Sequence, residues 1–392
     1  MNRSSLSFAA LFTLLICAAA YACNVPVFRY ALERWPQDAY EVLIFHDGPL
    51  MGDHAKLAKK LEKEIVADDW NHQNYFVHTI DISKDMTEEE KAYHKAAAPK
   101  SLPWLFVQYP RSGIDEPPAY AGELVSDVIS TMADSPTRKL IAKSLLEGES
   151  IVWLMVESGD KAKDDATAEK LEKEIKLLAK ELKLPELDES DAEFIDEEVG
   201  PKLRLSFKTI RMSRDAKGEA MFLRLLENWD PKAVNVKEPM AYAFFGRGRV
   251  LPALVGEQIN PDLLAETCMY LTGPCSCQIK EQNPGFDVLM AVDWSAVMRG
   301  GQSLGELFPS LTTVREDDPD EVVVKPDSPL PGSVPESASA TSPTPLPLAV
   351  TPANAVAEGD DEVPMNLVVL VIVAVGVLVL VIGTMAMKQK ES

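Results

Sequence analysis

Ser101-Leu102-Pro103-Trp104-Leu105-Phe106-Val107 and Pro239-Met240-Ala241-Tyr242-Ala243-Phe244-Phe245 are the two segments on which the fold turns. Each is an apolar run entered through a proline, short enough for a buried strand and too short for a buried helix. Working outward from the first, Tyr40–Phe45 (YEVLIF) and Tyr75–Ile82 read as strands, and Ala55–Ile65 carries Leu57, Leu61 and Ile65 on one helical face. Thr87 with Glu90 forms a capping-box pattern that opens a helix to Ala97. Trp104–Tyr109 is a strand, Ala119–Leu124 another, and a last helix starts at Ser126. The order is β-α-β-α-β-β-α. Around the second segment it repeats: strand Ile151–Val156, helix Thr167–Leu184, strand Leu203–Met212, helix Gly218–Trp229, strands Met240–Phe245 and Val250–Val255, then a helix from Asn260-Pro261 to about Leu271. Alternation of this length predicts an α/β protein with two mixed sheets covered by helices. The expected units are 23–148 and 149–314.

The ends of the chain predict its compartment. Residues 1–22 read as a secretory signal, with Arg3, the apolar run Leu6–Ala19 and an Ala20-Tyr21-Ala22 cleavage site. Cleavage there leaves Cys23 as the first mature residue. A bacterial lipidation site would carry leucine three places before the cysteine, and Ala20 stands there, so a disulfide cysteine is preferred over a lipidated one. Residues 365–387 contain the uncharged stretch Leu367–Met387, long enough to span a bilayer. Lys388 and Lys390 follow it and Asp360, Asp361 and Glu362 precede it, which predicts a single pass with 388–392 as a cytoplasmic tail and the rest outside. Residues 315–364 form an acidic Pro/Ser/Thr/Ala-rich linker, expected to be a disordered stalk with a root-mean-square reach of roughly 40 Å.

Composition narrows the function. The 61 acidic and 39 basic residues give a net charge of −22, which argues against nucleic-acid binding. The hydrophobic fraction of 46% is enough for packed cores, so wholesale disorder is excluded. Five cysteines are too few for a disulfide-built scaffold.

The proline-plus-strand segments, with Gly122 and Gly256 after the strands that follow them, resemble the thioredoxin fold in tandem. The resemblance implies cis prolines at Pro103 and Pro239. It also implies an active-site Cys-x-x-Cys between the first strand and helix of each unit, and the chain departs from the family there. The first unit has His46-Asp47-Gly48-Pro49-Leu50-Met51-Gly52 and the second Glu157-Ser158-Gly159-Asp160, neither with a cysteine. Thiol exchange at the usual place is therefore excluded, and a polypeptide-binding scaffold is the expectation. The mature start Cys23-Asn24-Val25-Pro26-Val27-Phe28-Arg29-Tyr30 also resembles that of planctomycete-type membrane-anchored envelope proteins, which supplies no activity.

Four cysteines belong to the mature chain: Cys23, Cys268, Cys275 and Cys277. An even count in an oxidising compartment favours two disulfides: a local one from Cys268, and one from Cys23 to a member of the Cys275/Cys277 pair. The competing readings are a redox-active Cys275–Cys277 pair, whose bridge across one residue would be strained and easily reduced, and a copper(I) site using the same thiolates near Met269. All five histidines (46, 54, 72, 78 and 94) lie in the first unit, and none shows metal-ligand spacing. His46-Asp47 is the best small-site candidate, with a hydrogen-bonded loop histidine as the plainer reading. Gly246-Arg247-Gly248-Arg249 reads as a hairpin turn with solvated arginines, and the acidic run Glu186–Glu198 as a solvated insertion. Phe28, Tyr30 and Trp35 read as an arm packed on the second unit, or else as an exposed patch for a partner. No nucleotide-binding or hydrolase motif is present, so no cofactor or metal is expected. The expected function is a non-enzymatic accessory module in a membrane complex, such as a transporter. The alternative is a thiol-disulfide oxidoreductase or copper-binding protein using Cys275 and Cys277.

Overall fold

The computed structural model describes residues 24–63, 74–189, 191–195, 200–275 and 280–298. They form a mixed α/β structure with two sheets. The expected signal, stalk, membrane span and tail lie outside them.

The chain opens with α1 (Val27–Arg34), followed by β1 (Tyr40–His46), α2 (Gly52–Lys63), β2 (Tyr75–Asp81), α3 (Glu88–Ala97), β3 (Trp104–Gln108) and β4 (Tyr120–Glu123). The strands form a sheet in the order β2-β1-β3-β4, with β1 parallel to β2 and antiparallel to β3. Two helices, α4 (Ser126–Thr131) and α5 (Pro136–Leu146), close this half. The single helix expected from Ser126 is thus broken in two, because Ser135 caps a new start by accepting from the Arg138 amide, with Pro136 in the first turn.

The second half runs β5 (Ile151–Val156), α6 (Lys161–Glu181), β6 (Phe207–Met212), α7 (Ala220–Trp229), β7 (Met240–Phe245), β8 (Arg249–Val250), β9 (Leu254–Val255), α8 (Pro261–Thr272), β10 (Phe286–Asp287) and α9 (Trp294–Met298). The sheet order is β10-β8-β7-β5-β6, with β9 also on β7. Its core repeats the first sheet: β5 is parallel to β6 and antiparallel to β7.

Strand alternation sorts the buried residues into layers. On β1, Val42 and Ile44 face one cluster and Leu43 and Phe45 another. On β5, Val152 and Leu154 join the same cluster as Val42, while Ile151, Trp153 and Met155 face away. One hydrophobic core, filled by α5, α7 and residues 288–298, is therefore shared by both sheets. All described residues fall within one compact unit. The expected division at 148/149 marks a topological repeat and not a break in packing.

The two halves also exchange their ends. Val27, Phe28, Tyr30 and Trp35 pack with Ile151 and Trp153 of the second sheet and Leu271 of α8, so the aromatic arm is an interior element. In return, β10 and the residues after it cross the first half. The Tyr40 hydroxyl donates to Asp287 O (2.9 Å), Asn74 Nδ2 donates to Val288 O (3.2 Å) and Met290 N donates to Asn74 Oδ1 (2.9 Å).

The Gly246–Arg249 turn is a hairpin, as expected, but its arginines are not solvated. Arg247 donates to the Leu32 and Glu33 carbonyls at the end of α1 (2.7 and 3.0 Å), and Arg249 is buried against Asp287 (3.2 Å). Gly246 has φ +56°, and a Cβ there would lie 2.6 Å from Ala31 Cβ, so only glycine lets α1 approach. The acidic insertion is likewise not wholly solvated. Buried Asp191 accepts from the backbone amides of Asn24 and Asp188 (both 2.9 Å), tying the insertion to the start of the arm.

Candidate functional site

In the first half, β1 delivers His46 to the end of the sheet, directly opposite Asp81 on β2. The chain then turns through Gly48 at φ +71°. Asp81 organises this turn: its Oδ1 accepts from Gly48 N (3.0 Å), Ser83 N (3.2 Å) and Ser83 Oγ (2.7 Å). The Ser83 hydroxyl and Gly48 amide hold the Asp81 carboxyl well below its usual range. His46 Nδ1 lies 2.6 Å from Gly48 O, so that nitrogen carries the proton and donates within the loop. His46 is thus engaged as a loop histidine. His78 pairs with Glu41 (3.2 Å) and His94 packs edge-on against Phe45, while His72 lies outside the described residues. Among the described residues, no three His, Cys, Asp or Glu side chains gather to hold a metal ion.

The neighbouring segment enters β3 through a cis peptide bond at Leu102–Pro103. Pro103 O accepts from Leu124 N (3.3 Å), and the β3–β4 register carries on to set Leu102 opposite Val125. The antiparallel β1–β3 register likewise carries the end of β1 toward Leu102. Around the loop, Met51 is 78% exposed and Leu102 and Val125 are each 39% exposed. Three apolar side chains thus project to solvent at one end of the first sheet.

The equivalent end of the second sheet presents a polar, internally bonded loop. Asp164, buried on α6, turns back onto the loop before its own helix. Its Oδ1 accepts from Ser158 N (2.7 Å) and Ser158 Oγ (2.8 Å), and its Oδ2 from Gly159 N (3.0 Å). Asp160 caps the helix by accepting from the Ala162 and Lys163 amides. Glu157 pairs with Arg211 (2.6 Å), which also reaches Asp165 (3.0 Å). Glu238, the residue before Pro239, pairs with Lys163 (2.8 Å). Pro239 itself corrects an expectation. Among the described residues the cis bond is Leu102–Pro103, so Pro239 is joined in trans, the isomer that X-Pro bonds favour unless context overrides it. A proline before a strand does not by itself fix the isomer.

The cysteines separate. Cys268, on α8, carries a free thiol with no solvent exposure, so the local bridge expected from it is not formed. It packs in the cluster of Ile151, Trp153 and Leu271, and burial pushes its pKa up to about 12. At pH 8 this leaves about a thousandfold less thiolate than an exposed cysteine has. Alkylation in the folded protein is expected to miss Cys268, with labelling appearing only after denaturation. Rapid native labelling, read by peptide mass spectrometry, would contradict that burial. Cys275 is buried, and its amide donates to Val25 O (2.9 Å) beside a bridge between Pro26 and Pro274. Cys23 and Cys277 lie outside the described residues.

Sequence reasoning located both loops but missed Asp81 and Asp164, which decide their state. The available signal was an aspartate in the turn before α6, at 160, with another one helical turn on, at 164. Compared with family models and with curated proteins, the chain matches none.

Proposed function

We propose that the chain is a membrane-anchored envelope protein. In this reading it carries two thioredoxin-like units without catalytic dithiols, and it binds a protein partner through the first unit. The observation that carries the proposal is the contrast between the two loop ends. The first presents Met51, Leu102 and Val125 to solvent around a turn held by Asp81; the second has its loop amides taken by Asp164 and its pre-proline residue paired with Lys163. Supporting the thioredoxin-like reading are the matching orders β2-β1-β3-β4 and β6-β5-β7-β8, and the cis bond before β3.

Exposed apolar side chains grouped on one surface favour a partner with apolar side chains of its own. The uncharged Leu367–Met387 stretch and the signal-like start support an ectodomain outside the cytoplasm and a short cytoplasmic tail. An envelope or membrane protein, such as a transporter subunit, is the partner this placement favours. The antiparallel pairing of Val25–Val27 with Gly273–Cys275 sets Val25 against Cys275, and supports a disulfide from Cys23 to Cys277.

Photo-crosslinking in native membranes tests the reading. A photoreactive residue at Met51 or Leu102 is expected to capture one discrete partner. The same group at Val234, also exposed but in the second half, is expected to capture none. Equal capture at all three positions, or none at any, would remove the first-unit site.

A further inference from the structure

β6 ends its sheet, and its outer edge is open. Among the described residues, the backbone of Phe207–Met212 bonds only toward β5, through the parallel ladder and the bond from Glu157 N to Met212 O. Alternate residues of a strand direct their N–H and C=O groups to opposite edges, so about half of this strand presents unpaired groups outward. We propose that the chain's own segment Glu321-Val322-Val323-Val324-Lys325 adds to β6 as a further strand, seating the base of the stalk on the globule.

Four observations support this occupant. Three successive valines have high strand propensity in a stretch otherwise rich in Pro, Ser and Asp. Pro319 and Pro326 bracket a run of ordinary strand length, and a proline ends a ladder because it has no amide to donate.

Charge selects the edge. The segment is led by Glu316, Asp317, Asp318 and Asp320, and β6 carries Lys208 in a chain of net charge −22, while its Arg211 is already held by Glu157 and Asp165. Lys208 makes no ion pair among the described residues. The other edges fit less well: β10 spans two residues, β4 spans four and ends in Glu123, and β2 has neither lysine nor arginine.

Reach allows it. α9 packs on α5, and α5 packs on β6. With layers about 10 Å apart, α9 lies on the order of 20 Å from β6. The chain from Met298 to Glu321 is about 23 residues long, with a root-mean-square reach of roughly 26 Å. A tether of this kind supplies an effective concentration in the millimolar range. The free stalk would then begin near Pro326.

Hydrogen exchange on the full chain in detergent micelles tests this, comparing wild type with Val323→Pro and Val323→Ile. Peptides covering 207–212 and 321–325 are expected to be protected in wild type and in Val323→Ile. In Val323→Pro that protection should fall about tenfold or more, with β5 unchanged. An unchanged β5 separates loss of docking from loss of folding. Identical exchange of 207–212 in wild type and Val323→Pro would overturn the proposal. So would protection that grows with protein concentration, which would give the edge to a second copy.

Discussion

Replacing Asp287 with alanine is expected to destabilise the fold by about 3–5 kcal/mol, the usual result of removing one partner from a buried charge network. Asp287 Oδ1 accepts from Arg249 (3.2 Å), and its Oδ2 accepts from the Asp38 amide (2.7 Å) and from Lys280. Lys280 also reaches Asp38 (3.2 Å), which Arg111 holds at 2.7 Å while pairing with Glu281 at 2.8 Å. The cluster balances Arg111, Arg249 and Lys280 against Asp38, Asp287 and Glu281. Losing Asp287 would leave Arg249, 6% exposed, with no carboxylate partner among the described residues, and Lys280, also 6% exposed, with only the Asp38 carboxylate that Arg111 shares. The network also joins β1's entry to the last strand, so both halves should weaken together. The melting temperature should drop by on the order of 10 °C in a single transition. Arg211→Ala, which removes a partly exposed pair, should cost no more than about 1 kcal/mol. Comparable losses for the two variants, or separate melting of the halves, would contradict this account.

Alkaline pH should unfold the protein steeply. Tyr40, Tyr109 and Tyr242 are buried, and burial raises all three pKa values above the ordinary phenol range. A raised pKa contributes stability below the unfolded value, near 10, and loses it as pH rises. In this window the unfolded tyrosines release protons that the folded ones keep. Each contributes a loss of about 1.4 kcal/mol per pH unit, or about 4 kcal/mol for three. Arg138 acts in the opposite sense. Burial lowers its pKa to about 10, so above that pH the folded state sheds a proton that the unfolded state retains. The net fall is about 3 kcal/mol per pH unit, which exhausts ordinary domain stability by roughly pH 12–13. Tyrosinate absorbance and far-ultraviolet circular dichroism should change together. Titration of these tyrosines near pH 10 with the secondary structure intact would contradict their burial.

The elements most legible in the sequence are those whose signal is local. Ile151–Val156 and Met240–Phe245 match their strands end to end, because a strand buried on both faces is an unbroken apolar run. The Thr87–Glu90 capping box is present as read. Boundaries failed where a polar cap decided them. The helix expected from Thr167 begins at Lys161, because Asp160 caps it despite the charged first turns. The strand expected over Val250–Val255 is two short strands, with Pro252 between them. α1 carries no helix-start signal in the sequence. It has no side-chain cap, and its amides bond to Pro26 O and Gly273 O, the latter a partner far along the chain.

The same distance in sequence hid the network and the exchanged ends. Asp38 and Asp287 look like ordinary surface acids until the fold brings them together. Of the candidate site, the two loops and Pro103 were legible. Their opposite states were not, because Asp81 lies on another strand and Asp164 acts by folding back from its own helix. The exposure of Met51, Leu102 and Val125 has no sequence signature, since apolar residues at these positions would equally suit a core.

On the proposed reading, recognition belongs to the first unit's loop end. Quantitative co-isolation from native membranes tests it, comparing wild type with Leu102→Glu and Val234→Glu at matched thermal stability. Leu102→Glu should retain less than about a tenth of the partner that wild type retains, the effect of losing about 1.4 kcal/mol, and Val234→Glu should retain it all. Equal retention by both variants would contradict the claim and shift the search for the partner's contact to the second sheet.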